Sequence, residues 1–290
     1  MNSVLNEFSL KGTDFSSVEN APQLAIVNEH FGMILGVGPY RDEFIKIGQP
    51  YRFIEGRILM MTEGTATCEV NLETYHLEKG DIVLLMPETI MELLECSEDY
   101  NMIGIIYKEN LSVSTNILLH STNKEWQETL RLVTALWDIA HHEPFRLETV
   151  RLLISTIIHN IQDINRVKEK HQPGIQLTRQ EQLFQQFKKL VNEYGYRERT
   201  IPFYAERLII TPHYLSTLVS KVSGHSVMYW INHATILQAK VLLKEKKLMA
   251  SEIADHLNFP SPSAFGMFFK RETGMTPGEY RANNLSGLGA

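Results

Sequence analysis

Long apolar runs are missing from this 290-residue chain. No stretch of about eighteen consecutive apolar residues occurs, so a membrane-spanning helix is not expected. The N-terminal segment, Met1 to Lys11, lacks the basic start and apolar stretch of a secretory leader. A soluble, cytoplasmic protein is the expectation. Cysteine is equally scarce. Cys68 and Cys96 are far apart, with no C-x-x-C pair, which excludes a disulfide framework and a thiolate metal site and leaves both as small hydrophobes. Low-complexity tracts are absent too, and a 43% hydrophobic content with aromatic residues throughout excludes a mainly disordered chain. The length suffices for two domains.

Charge is unevenly placed. From Leu177 onward there are 14 Lys and Arg against 9 Asp and Glu, a net +5; residues 1–176 carry 14 against 25, a net −11. The C-terminal third is therefore the part suited to phosphate, because cations that neutralise phosphates release counterions. The acidic remainder would be repelled by a duplex.

Between Leu215 and Tyr280 the sequence repeats itself. Leu215-x-x-Leu218-Val219-x-Lys221-x-Ser223-Gly224-x-Ser226 returns as Phe265-x-x-Phe268-Phe269-x-Arg271-x-Thr273-Gly274-x-Thr276, and Trp230 returns as Tyr280. Each copy follows a short amphipathic segment, Ala205-x-x-Leu208-Ile209-Ile210 or Ala254-x-x-Leu257-Asn258-Phe259. Small residues at a helix crossing and apolar residues at i and i+3 are what a helix-turn-helix needs to bury one face and free the other. A preceding helix with Leu183, Phe184, Phe187, Leu190 and Tyr194 inward should support the first unit, Pro202 suits a first turn, and Thr211-Pro212 reads as an N-cap and helix start. With Leu215, Leu218 and Val222 inward, His213, Ser216, Thr217 and Ser220 face out; with Phe265, Phe268 and Phe269 inward, Ser263, Gly266, Met267 and Lys270 face out. Ile231 to Lys247 reads as a connecting helix, which would let both units enter successive major grooves about 34 Å apart. Lys244, Lys246 and Lys247 are open to phosphate or to solvent alone.

The upstream half reads differently. From Ile58 to Tyr107 short strands are broken by turns at Glu63-Gly64, Lys79-Gly80-Asp81 and Pro87-Glu88; Cys68, Val70 and Leu72 alternate with Glu69, Asn71 and Glu73, and Ile82 to Met86 suits a buried strand. A small antiparallel sheet, sandwich or barrel follows. From Lys124 to Asp163 the period is helical: Trp126, Leu130, Val133 and Trp137, then, after Glu143-Pro144, Leu147, Val150, Ile154, Ile157, Ile158 and Ile161. Either the sheet or the same helix of a second copy can cover this second stripe, and residues 145–164 are thus a candidate dimer face. Gly36-Val37-Gly38-Pro39 has no following Lys-Ser/Thr and reads as a turn rather than a phosphate loop; His141-His142 reads as a helix-end pair.

Residues 180–282 resemble the C-terminal domain of AraC/XylS-type transcription regulators, and Ser263 to Arg281 follows the signature of that family closely. The resemblance implies two helix-turn-helix units joined by a long helix on an asymmetric site, with His213, Ser216, Thr217, Ser263, Gly266 and Met267 facing bases. Ser220, Lys221 and Lys270 complete the candidate DNA-binding set. Three departures stand out. Ile209 holds a turn position where the family often has Gly, and a β-branched residue resists left-handed backbone, so that turn is expected to be built differently; Asn258 at the matching place tolerates it. Thr235 replaces an Arg of the connecting helix. Gly266 and Met267 cannot make bidentate hydrogen bonds to bases, so the first unit is expected to carry specificity and the second to position the protein.

Gly56 to Pro87, ending Leu77-x-x-Gly80-Asp81-Ile82-Val83-Leu84-Leu85-x-Pro87, is similar to the cupin-like sensor domain of many such regulators. That implies an effector-enclosing β-barrel followed by dimerisation helices. Metal-holding cupins cluster His with Glu; here Glu88-Thr89-Ile90-Met91-Glu92 follows Pro87 without a His, and His76 and His120 lack partners at ligand spacing. No metal, cofactor or catalytic residue is expected.

The expected architecture is α+β in two domains. Residues 1–165 form a cupin-like antiparallel β-barrel with helices, 166–179 a linker, 180–282 an all-α double helix-turn-helix domain, and 283–290 a tail. The expected function is a homodimeric, sequence-specific transcription regulator of AraC/XylS type, an activator and not an enzyme, controlled by a small-molecule effector. Its partners would be promoter DNA, the effector, a second copy and RNA polymerase, with no membrane. One alternative makes the N-terminal half only a dimerisation or protein-binding module; another makes it a barrel enzyme fused to a DNA anchor.

Overall fold

In a computed structural model of the protein, the described residues are 7–10, 13, 24–38, 44–108, 115–171, 178–244 and 248–285. The chain divides into two compact units, one spanning Glu7–Pro173 and the other containing Gly174–Ala290. The two-domain α+β class is as expected. Among the described residues no helix is long and apolar enough to cross a membrane.

The first unit contains strands β1 (Glu7–Phe8), β2 (Ala25–Val27), β3 (Phe31–Leu35), β4 (Pro50–Phe53), β5 (Gly56–Glu63), β6 (Thr65–Val70), β7 (Glu73–Glu78), β8 (Asp81–Leu85), β9 (Thr89–Cys96), β10 (Asn101–Tyr107) and β11 (Ile117–His120), then helices α1 (Asn123–Ala140) and α2 (Leu147–His171). The strands make two sheets, ordered β1-β4-β9-β6-β7 and β11-β8-β5-β10-β3-β2. Pairing is antiparallel except for β1 with β4. No strand pair joins the sheets among the described residues, so the expected barrel is corrected to an open two-sheet sandwich. Its edges are short or polar: β11 has four residues, and β7 exposes Thr74, His76 and Glu78, features that end a sheet without inviting another strand.

The larger sheet is buried on both faces, which explains why its strands read as nearly continuous apolar runs. Leu59 and Met61 of β5, Val83 and Leu85 of β8, and Met102 and Ile106 of β10 face the smaller sheet. Their neighbours Ile58, Met60, Ile82, Leu84, Ile103 and Ile105 face the helices. There Val133 and Leu136 of α1 and Val150, Ile154, Ile157, Ile158 and Ile161 of α2 complete a second core. The branched stripe of α2 is thus covered by its own chain, not held open for a second copy.

Several boundaries differ from the sequence expectation. The β6–β7 hairpin turns on Asn71 and Leu72, with φ of 47° and 67°, so Leu72 leaves the strand alternation although it stays buried. Two consecutive residues at positive φ match the strand twist of a two-residue hairpin. Helix α2 continues through His171 into the segment expected to be a linker. Arg166 pairs with Asp163 at 3.0 Å and Asn165 Nδ2 donates to Glu169 Oε1 at 2.9 Å, local ties that favour helix. Residues 172–177, Pro39, Lys246, Lys247 and the end of the expected tail lie outside the described residues. Cys68 is buried, which pushes its thiol up to about 12, whereas Cys96 is only half-buried.

The second unit is helical: α3 (Arg179–Tyr194), α4 (Ile201–Arg207), α5 (Pro212–Ser223), α6 (Val227–Leu243), α7 (Ala250–His256), α8 (Pro262–Thr273) and α9 (Pro277–Leu285). The duplication extends to individual hydrogen bonds. Thr211 and Ser261 cap α5 and α8 by accepting from Tyr214 N and Ala264 N, both at 3.1 Å. Gly224 and Gly274 end these helices at φ 73° and 79°, the left-handed position for which glycine is suited. Ser223 Oγ and Thr273 Oγ1 donate back to Val219 O and Phe269 O, each at 2.7 Å. The connecting helix α6 begins four residues before the expected Ile231, because Ser226 caps it through Tyr229 N at 3.1 Å.

Ile209 overturns its expectation. Its φ is 56°, equal to that of Asn258 in the second unit, so both turns share one geometry and the β-branched residue accepts the left-handed state. The fold imposes it: Ile210 N donates to Ala205 O at 3.0 Å and Phe259 N to Ala254 O at 2.8 Å, matching bonds that close both turns. Left-handed backbone costs an ordinary L-residue about 1–2 kcal/mol, and the Ile209 side chain is 92% exposed, so burial offsets little of it. Ile209→Asn is therefore expected to stabilise the helical C-terminal unit by roughly 1 kcal/mol. Chemical denaturation of the full chain checks this, and an unchanged or lower stability would count against a strained turn.

Candidate nucleic-acid interface

Helices α5 and α8 each bury one face. Leu215, Leu218 and Val219 of α5 are buried, as are Phe265, Phe268 and Phe269 of α8; Val219 takes the inward place expected of Val222, which is only half-buried. The opposite faces carry every residue expected to point outward. His213, Thr217, Ser220 and Lys221 are exposed and Ser216 is half-exposed; Ser263, Met267 and Lys270 are exposed and Gly266 is half-exposed.

The two faces differ chemically. Ser216 Oγ donates to Pro212 O at 2.9 Å and Thr217 Oγ1 to His213 O at 3.0 Å. With their protons turned back onto the helix, both oxygens offer outward lone pairs, which suit donors such as adenine N6 or cytosine N4. On α8, Met267 is 70% exposed and can contact a thymine methyl but cannot pair with a base edge. A Cβ built on Gly266 would meet nothing within 4 Å. Among the described residues no contact calls for this glycine, which costs a helix about 1 kcal/mol relative to Ala.

Not all of the positive charge is free for phosphate. Arg281 donates to Leu243 O at 3.0 Å and Leu248 O at 2.7 Å. Arg271 is paired with Glu272 at 2.6 Å, and Arg207 lies 3.5 Å from the centre of the Phe203 ring. Lys188 and Lys244 are buried, so Lys244 is neither the solvated nor the phosphate-facing residue weighed from sequence. Lys221 and Lys270 remain on the recognition faces. Thr235 has its own role in place of an arginine: it is fully buried, and its Oγ1 donates to Gly195 O and Ile231 O, both at 2.8 Å.

Residues 204–283 match the helix-turn-helix domain family. The arabinose operon regulatory protein of Escherichia coli K12 is 32% identical over 78 residues, 27% of this chain and 27% of that protein. Residues 204–283 thus form a helix-turn-helix domain. YijO of Escherichia coli K12, described as an uncharacterized helix-turn-helix transcriptional regulator, is 27% identical over 149 residues, 50% of each chain. The chain thus spans about half the length of YijO and of YpdC, 50% and 51%. YijO and YpdC, both of Escherichia coli K12, are named as helix-turn-helix transcriptional regulators. Among solved structures, ToxT of Vibrio cholerae with unsaturated fatty acid bound covers 88% of this chain and 95% of its own at 16% identity, with a TM-score of 0.41.

The first unit holds a second candidate site. A cavity of about 50 Å³ lies against the core between the sheets, walled by Ile34, Phe44, Phe53, Leu59, Met91 and Met102, with Arg57 as its charged boundary. Arg57 Nη1 donates to Glu55 O at 3.0 Å and Gly56 O at 3.1 Å, and Nη2 lies 3.6 Å from Glu55 Oε2. Burial lowers the guanidinium to about 10, opposed by the charge of Glu55. Among the described residues no three His, Cys, Asp or Glu form a group able to hold a metal ion. His120 has its Nδ1 2.9 Å from the buried Asp81. His141 ends α1 with its Nδ1 2.9 Å from Trp137 O.

Proposed function

We propose that the protein is a sequence-specific, DNA-binding transcription regulator in which α5 reads bases and α8 sets position on the backbone. The observation that carries this is the pair of equivalent helices, each burying one face and presenting the other, with hydrogen-bonding residues on the first and glycine and methionine on the second. The DNA-facing set is His213, Ser216, Thr217, Ser220 and Lys221 with Ser263, Gly266, Met267 and Lys270. His213→Ala and Thr217→Ala should each cost about 1–3 kcal/mol at the base pair they face and change base preference there. Lys270→Ala should weaken all duplexes alike and lower the salt slope by about one. Competition titrations across single-base variants of the site separate these outcomes. If all three changes weaken every duplex equally, α5 is not the reading helix.

The sandwich cavity is the proposed effector site: at about 50 Å³ it has to widen to admit a metabolite, and its apolar walls call for an apolar one. A metabolite at a hundred times its dissociation constant should raise stability by about 2.7 kcal/mol. A screen of apolar metabolites that moves no melting temperature would count against control through this cavity. A homodimer is proposed with the same function, through the outward face of α2, where Leu152 and Val167 are exposed. A monomer in sedimentation at micromolar protein would remove it.

A further inference from the structure

Helix α6 joins the two helix-turn-helix units along the chain, and a second, non-covalent tie runs between them. The loop after α3, residues 195–199, leads into the first unit, yet its side chains grip the turn of the second. Arg199 Nη1 donates to Leu257 O at 2.6 Å and its Nη2 donates to Asn258 O. Arg197 Nε donates to His256 O at 3.3 Å, and Asn258 Nδ2 answers by donating to Arg197 O at 3.2 Å. Stacking reinforces these bonds: the Arg199 guanidinium lies 3.8 Å from the centre of the Phe259 ring, and Tyr196 stacks on His256 with ring planes 19° apart.

The carbonyls of 256, 257 and 258 are those that the end of α7 leaves without helical partners, at its negative pole, where a cation is favoured. The planar fork of arginine can satisfy two of them at once. The gripping loop is itself anchored to the first unit and to α6. Tyr204 Oη donates to Glu198 O at 2.6 Å, and the buried Thr235 donates to Gly195 O at 2.8 Å. The loop is therefore fixed to one unit at its base and to the turn of the other at its tip.

We infer that Arg199, assisted by Arg197, is a positioning residue that sets the second recognition helix against the first, so that the pair binds DNA as one rigid reader of fixed half-element spacing. This rests on the DNA-reading function proposed above. A second unit held in register meets its half-element at a high effective concentration, and that gain falls when the angle between units is released.

The test uses the full chain and a duplex carrying two half-elements about one helical turn apart, obtained by selection with the wild-type protein. Affinity is measured for that duplex, for one half-element alone, and for the two elements with one base pair inserted between them. Arg199→Ala is expected to bind the two-element site at least tenfold more weakly, to bind the single element as wild type does, and to lose most of the penalty for the inserted base pair. Arg199→Lys should behave similarly, because one ammonium cannot span both carbonyls. Where Arg199→Ala fails to fold, Arg197→Ala and Asn258→Gly, which keeps the left-handed turn, are expected to show the same loss of spacing preference in smaller measure. Wild-type affinity and spacing preference in the folded variants would overturn the inference. Absence of any two-element site for the wild type would instead overturn the DNA-reading function on which it rests.

Discussion

Phe269→Ala is expected to destabilise the second helix-turn-helix unit by about 3–5 kcal/mol, the range for deleting a buried phenylalanine ring. Phe269 is fully buried at the centre of a cluster with Ile253, Ala254, Leu257, Phe265 and Tyr280. Its ring centre lies 5.8 Å from that of Phe265 and 5.5 Å from that of Tyr280, the latter edge-on. Removing the ring breaks both pairings and opens a void whose walls belong to α6, α7 and α9, which cannot all close on it. The equivalent residue in the first unit is Val219, so truncation there deletes less volume and should cost less. Urea denaturation of the full chain, followed by helical circular dichroism, reads the difference. A loss below about 1 kcal/mol would mean that the cluster collapses around the gap and is not the cooperative core of that unit.

Arg57→Met is the second large effect, expected to cost the N-terminal sandwich unit about 3–5 kcal/mol, because removing one partner strands a buried charge. Arg57 is 3% exposed and Glu55 6%. Glu55 Oε1 accepts from Leu10 N at 3.1 Å, while its Oε2 is buried without a hydrogen-bond partner among the described residues. Losing Arg57 leaves that carboxylate with one amide and no cation. Methionine matches the length of the stem that lines the cavity, so charge rather than shape dominates the result. The double variant with Glu55→Gln, which is neutral and can still accept from Leu10 N, should recover a large part of the loss. If the double variant is as unstable as Arg57→Met, packing over Phe53 matters more than the ion pair.

Local chemistry was legible in the sequence where local chemistry decides the structure. The cap at Thr211 and the outward faces of α5 and α8 follow from residue types at fixed offsets. Much of the strand pattern was equally plain. What was not legible depends on partners distant in sequence. Ile209 adopts a conformation its side chain disfavours because the surrounding turn leaves no other. Whether β-strands close into a barrel depends on which edges meet, and no local signal records that the sheets stay separate. The stripe of α2 could equally have served a second copy until the larger sheet and α1 were seen to cover it. Arg199 carries no motif either; its role exists only because residues 58 and 59 positions downstream bring their carbonyls to it.

Selection of bound sequences from random duplex DNA at near-physiological salt, followed by competition with unrelated DNA, tests the central claim most directly. A DNA reader built from α5 and α8 should enrich a recurrent site with two half-elements about one helical turn apart, with base preference stronger in the element that faces His213, Ser216 and Thr217. No enrichment, with only weak binding that salt abolishes, would contradict sequence-specific recognition by these two helices.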